Sequence, residues 1–248
     1  MTGGRKPITM TEPSVPYRFS SKIELMAFDS LQHRIPVIGI VGGIGSGKSA
    51  VTKWVAARAN VLVIDADKLG HDALQLDPVK SALRRQFGDG VFDQSGDVNR
   101  GALARVVFGS TPEHLIARQE LERISHPAIE TRVVELVNQA ELDGREAVLL
   151  DAAVLLEAGW QRQCDAVVFV DASDNVRQRR VAARSGWSQE ELRRRESSQL
   201  PLVEKKRLSN VVISNESDDS HGGQELLDFL CRSWGICCKP LPNSSKQF

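Results

Sequence analysis

Short apolar runs recur along the chain at residues 37–41 (broken only by Gly39), 61–64, 147–150, 166–170 and 211–213. Runs this short, continuous rather than alternating, read as buried strands. The stretches between them carry another period. Apolar residues return at helical spacing in 73–87, 102–108, 115–124 and 133–142, which predicts helices there. Thr111-Pro112-Glu113 supplies a cap, a first-turn proline and a first-turn acid, while Gly88-Asp89-Gly90 and Ser95-Gly96-Asp97 read as turns. No strand-like run falls between residues 68 and 146, so a helical block is expected between the second and third strands. Such a block is placed to hold a second substrate over whatever the strand ends bind.

The first run leads directly into Gly42-Gly43-Ile44-Gly45-Ser46-Gly47-Lys48-Ser49, and Ala50-Val51 with Trp54-Val55 continue at helical spacing. This is G-x-x-x-x-G-K-[ST] between a strand and a helix, a phosphate-binding loop in its expected setting. Glycines let backbone N–H groups converge on phosphate oxygens, and the helix that follows points its N-terminus at the same anion. Lys48 then reaches the β/γ-phosphates and the Ser49 hydroxyl is a ligand for Mg²⁺.

Acids close the neighbouring strands. The second ends in Asp65-Ala66-Asp67, the third in Asp151 and the fourth in Asp171. In an open α/β sheet the C-terminal strand ends face the ligand. Asp65 and Asp67 are therefore candidates for a general base or for orienting Mg²⁺-bound water, against the plain alternative of a helix cap and a solvated acid. Asp151 resembles an acid that holds Mg²⁺ through water, with an N-cap as its alternative. Within the helical block, Arg100 is placed to meet a substrate phosphate or to stand as a surface arginine. His126 precedes Pro127, and capping or packing suits it as well as ligand binding. Residues 176–207 are strongly basic, and Ser188-Gln189-Glu190-Glu191 is a capping-box pattern within them. A basic helix pair joined at Ser185-Gly186 suits a mobile lid carrying an arginine to a transferring phosphoryl group, although most charges in such a run face water. Asn215 follows the fifth strand, at a sheet edge where an adenine could be read.

Composition narrows the picture modestly. The 248 residues carry 32 basic and 32 acidic side chains, which gives no electrostatic reason to expect nucleic acid or an anionic membrane as partner. No apolar run approaches the ~18 residues of a membrane span. The 4 cysteines, Cys164, Cys231, Cys237 and Cys238, lack paired metal spacing and read as free thiols of a reducing compartment. Residues 1–34 have no clear period and read as a disordered tail, or as a segment upstream of a true start at Met26; residues 234–248 read as a second tail.

Taken together, GIVGGIGSGKS, VIDADKLGH, NRGALARVVF, ISHPAI, VLLDAAVLLEAGW, VRQRRVAAR and SSQLPLVEKKRLSNVVISN resemble the dephospho-coenzyme A kinase family over about residues 36–230. The glycine loop alone indicates only an NTPase; the ordered set with DAD, HP, LLE and Q-x-P-x-x-x-K is specific. Two positions depart from the usual pattern. Ala50 stands where many members have threonine, with little loss expected because Ser49 is the metal ligand. Ala153 stands where many have proline, a version similar to the kinase half of bifunctional coenzyme A synthases. The resemblance implies a three-layer α/β P-loop kinase fold with a parallel five-stranded sheet, a kinase domain over 35–233, a helical coenzyme-binding insertion over 68–145 and a lid over 184–207. It implies a cytoplasmic enzyme that transfers phosphate from ATP-Mg²⁺ to the ribose 3′-hydroxyl of dephospho-coenzyme A. By position, Gly43, Ile44, Gly45, Ser46, Gly47, Lys48, Ser49 and Ala50 bind ATP, Asp67 is the base, Arg184 belongs to the lid and Asn215 contacts adenine. Arg100 and His126 fall on the acceptor side. Another small P-loop kinase is the competing enzyme reading. A guanine-nucleotide switch is disfavoured, because VDASDNV at 170–176 lacks N-K-x-D.

Overall fold

The computed structural model describes residues 35–236 and 238, except 110 and 218; the expected N-terminal tail and residues 239–248 lie outside them. The chain runs β1 (Val37–Gly42), α1 (Lys48–Ala56), β2 (Val61–Asp65), α2 (Ala66–Ala73), α3 (Asp77–Phe87), α4 (Arg100–Val107) and α5 (Pro112–Leu142). It continues through β3 (Ala147–Asp151), β4 (Ala166–Asp171), α6 (Asp174–Ser185), α7 (Gln189–Glu196), α8 (Leu202–Arg207), β5 (Val211–Ser214) and α9 (Asp219–Trp234). The five strands form one sheet in the order β2-β3-β1-β4-β5, with every pairing parallel.

Alternation along the strands explains the layering, since successive side chains face opposite sides of a sheet. Val37 and Val41 of β1, Val148 and Leu150 of β3, and Val167 and Phe169 of β4 share one core with Ile129, Val133 and Val137 of α5. Ile38, Ile40, Leu149, Val168 and Val170 face the other way, onto Val51 and Val55 of α1 and Leu226, Leu227 and Leu230 of α9. Both faces are thus covered, which is why these strands read as unbroken apolar runs. Leu149 is wholly buried, and its truncation to alanine would cost on the order of 2–5 kcal/mol.

The helical block has a core of its own, built from Leu74, Val79, Leu83, Val91, Val98, Leu103 and Val107. One sequence expectation is corrected here. The two helices expected at 115–124 and 133–142 are a single helix of 31 residues with Pro127 inside it. The physical reason lies in its two partners. Ala117, Leu121 and Ile124 pack into the block's own core, whereas Ile129, Val133 and Val137 pack onto the sheet. The apolar face therefore changes direction midway, and the period breaks although the backbone continues. Near the proline, Ser125 Oγ and Thr131 Oγ1 donate to the carbonyls of Leu121 (2.8 Å) and Pro127 (2.9 Å), one turn back.

The cysteine expectation is also corrected in part. Cys164 is a free, buried thiol whose pKa burial pushes up to about 12, and Cys238 is free, but Cys231 is disulfide-bonded.

Candidate active site

The glycine loop leaves the C-terminal end of β1, the central strand, with β3 on one side and β4 on the other. Gly47 sits at the N-cap of α1 with φ of 89°, and Gly45 has φ of 81° with Arg177 O and Val181 only 2.7 Å from where a Cβ would stand. A side chain at either position would meet a disfavoured backbone, and one at Gly45 would also meet the wall of α6. Among the described residues, the N–H groups of Gly45, Gly47, Lys48 and Ser49 donate to no protein acceptor, and the buried Ser46 Oγ has no partner. Converging unpaired donors at a helix N-terminus suit an anion with several oxygens. The loop therefore fits the phosphates of a nucleotide.

Lys48 folds over this loop and donates to the carbonyls of Gly42 (3.2 Å) and Gly43 (3.3 Å). Burial lowers its pKa; Asp151 and Asp67 oppose that shift, while Lys205 and Arg184 add to it. All four thus lie within electrostatic reach of its ammonium. Ser49 Oγ donates to Asp151 Oδ2 at 2.5 Å, bringing together the two residues expected at Mg²⁺. The register that pairs Ile40 with Asp151 sets that carboxylate beside the start of the loop. Asp151 is an acceptor in this bond, not a helix cap, since turns and no helix follow it. Loss of water raises its pKa, against the Ser49 bond and Lys48. A hydroxyl and a carboxylate in contact beside the unpaired N–H groups suit a hard cation shared with phosphate oxygens.

The two acids after β2 separate cleanly. Asp65 caps α2, its side chain accepting from Lys68 N at 2.9 Å. Asp67 lies in the first turn, and it is exposed to solvent. Desolvation raises its pKa and Asp65 adds to the rise; Lys48, the Ala153 N–H and His71 work against it. A carboxylate held above its ordinary range yet beside an ammonium is poised to take a proton.

Other expected residues fall in more varied places. Arg100 opens α4 and lies 2.8 Å from His71 Nε2, so α2 and α4 join in a basic pair on the Asp67 side. His71 lies one turn beyond Asp67 on the same helix; its only signal was that spacing. Arg184 is exposed near the end of α6. His126 is half-buried against Trp160, ring centroids 5.3 Å apart, and burial lowers its pKa to about 4. That is the packing alternative. Asn215 is corrected most clearly: it is wholly buried, and its amide donates to Ser46 O at 2.8 Å. It braces the loop from beneath and presents no surface to adenine. Arg180 braces the same carbonyl at 3.1 Å. Arg177 is buried against the loop, donates to Ile44 O and pairs with Asp174 and Glu196. Neither arginine stood out, because nothing in a run of basic residues marks which ones turn inward.

Comparison with known proteins agrees with this geometry. The profile of the dephospho-CoA kinase family matches residues 36–220. A dephospho-CoA kinase of Symbiobacterium thermophilum is 40% identical over 72% of this chain and 73% of its own. One of Geobacillus kaustophilus is 32% identical over 79% of this chain and 96% of its own. A crystal structure of a Thermus thermophilus protein superposes with a TM-score of 0.67 at 34% identity, covering 80% of this chain and 98% of that one.

Proposed function

The chain belongs to the dephospho-CoA kinase family, and on that premise we propose how its residues carry out ATP-dependent phosphorylation of dephospho-CoA, the reaction that yields coenzyme A and ADP. The loop from Gly43 to Ala50 holds the triphosphate with its free N–H groups, and Lys48 leaves the Gly42 and Gly43 carbonyls to meet the β/γ-oxygens. Ser49 and Asp151 are the residues that would hold Mg²⁺, and the ion would supply charge neutralisation on the phosphate oxygens. The acceptor's ribose 3′-hydroxyl lies against Asp67, with Arg100 and His71 on the same side for its phosphates. As the new oxygen–phosphorus bond forms, the bond from the γ-phosphorus to the bridging oxygen breaks, ADP leaves with that electron pair, and the hydroxyl proton passes to Asp67. Because such transfer is largely dissociative, orienting the hydroxyl is part of the same task. Residues 184–207 serve as a lid, with Arg184 brought over the phosphates on closure. Residues 68–145 form the acceptor-binding insertion, and the reaction belongs to the cytoplasm.

The observation that carries this reading is the meeting of Lys48, Asp67 and Asp151 around one orphaned N–H cradle. A coupled ADP-release assay tests it. Dephospho-CoA should stimulate ATP turnover strongly, and nucleoside monophosphates or small alcohols should not. Equal stimulation by those acceptors would return the site to a general small-molecule kinase.

A further inference from the structure

Lys205 is wholly buried, an unusual place for an ammonium. It donates to Ala153 O at 2.7 Å and Gln199 Oε1 at 2.9 Å, and pairs with Glu157 Oε1 at 2.9 Å. Two hydrogen bonds and an ion pair therefore surround the ammonium. Glu157 Oε1 also accepts the Leu200 N–H at 2.8 Å. A buried ion pair is a costly way to fill a core, since packed apolar groups often serve as well or better. Its use is better sought in what it joins. Ala153 lies two residues beyond Asp151, and its N–H is directed toward Asp67. Gln199 and Leu200 lie where the chain returns from α7 to α8. The same cation lies within electrostatic reach of Lys48.

We propose that Lys205 is a positioning residue for phosphoryl transfer: its ammonium locks the Asp151–Ala153 segment to the Gln199–Leu200 segment and so fixes both site carboxylates relative to the phosphate loop. This rests on the assignment of Asp67 as base. The lock touches no phosphate, so it acts on reacting geometry and leaves nucleotide binding alone. Displacing reacting groups by ~1 Å costs on the order of 10² in rate.

Removing Lys205 alone would strand Glu157, so the test uses Lys205→Met/Glu157→Gln, which removes both charges, alongside Gln199→Ala, which keeps the ion pair and loosens the second segment. The charged groups around Asp67 are Lys48 on α1 and Asp65 and His71 on α2; around Glu157 stand Lys205 and Glu122. The double variant should lower kcat about ten- to a hundredfold and leave the KM for ATP within about twofold, because geometry is lost while the charges removed cancel. Gln199→Ala should lower kcat by about two- to fivefold with the KM for ATP unmoved. A purely structural role would lower the melting temperature while leaving kcat of the folded protein as in the wild type, and that result overturns the proposal. Should the double variant not fold, an unchanged kcat in Gln199→Ala overturns it, and the expected loss supports it. Asp67→Asn is measured in parallel. If it is inactive while the lock variants are normal, the proposal fails; if it is fully active, the premise fails instead.

Discussion

Helix α7 packs Glu190, Glu191, Arg193, Arg194 and Arg195 into 8 residues, whereas the cleft at the strand ends gathers Lys48, Asp67, Asp151 and Lys205 from distant parts of the chain. On α7 the charges satisfy one another locally. Glu191 accepts from Arg194 at 2.9 Å and from Arg195 at 2.7 Å, and Arg195 lies 3.9 Å over the Trp187 ring. Those hydrogen bonds lower the pKa of Glu191 to about 2, but the groups remain in water. In the cleft Asp151 and Lys205 are buried, and loss of water lowers the pKa of Lys48 and raises that of Asp151, while Asp67 shifts upward at the exposed rim. A charge acts strongly on a reacting phosphoryl group only where water does not screen it. Charge density along the sequence therefore points to the wrong helix, and the buried Asp151 and Lys205 point to the right cleft.

The largest test of that contrast is Asp67→Asn, which keeps shape and removes basicity. Turnover should fall by ~10²–10⁴, with ATP affinity little changed in steady-state kinetics. Asp151→Asn serves as its control and should instead raise the Mg²⁺ concentration needed for half-maximal activity. Lys48→Ala comes next, with a loss on the order of 10²–10³ in turnover and an unchanged circular dichroism spectrum. Arg184→Ala should lose about ten- to a hundredfold, affecting kcat more than ATP binding. Its partner in the comparison is Arg193→Ala on α7, which should stay within about twofold, as solvated charges usually do. Equal losses at Arg184 and Arg193 would break the contrast and favour a diffuse basic field.

The smallest effect is on stability, and its sign opposes that on activity. Asp67 has a raised pKa in the folded state, so ionised Asp67 disfavours folding. Below the unfolded pKa both states are protonated and the cost is absent; above the folded pKa it is complete. Asp67→Asn should therefore melt slightly higher at neutral pH, and the gain should vanish as the pH falls through that window. Thermal melts of both proteins across the acid range measure it.

The phosphate loop and its flanking strand and helix were legible because one contiguous segment holds the whole device, and each glycine has a local reason. The strands were legible because both faces are buried. Helix α5 was read as two because its apolar face turns from one partner to another at Pro127, which no single period describes. Asn215 was placed correctly at the end of β5 but turned inward, toward Ser46, and side-chain direction at a strand end has no pattern in sequence. Lys205 was visible as the last residue of Q-x-P-x-x-x-K, and its charge suggested a surface. Only the fold brings Glu157, Gln199 and Ala153 around it.

The claim that Asp67 takes the hydroxyl proton is tested most directly by the pH dependence of kcat under saturating ATP, Mg²⁺ and dephospho-CoA, in the wild type and in Asp67→Asn. The acid limb of kcat reports groups in the bound complex. The wild-type limb should lie above the ordinary carboxylate range of ~4, and the residual activity of Asp67→Asn should lack it. A variant that turns over normally with the same limb, or whose defect excess Mg²⁺ repairs, would contradict the assignment of Asp67 as the base.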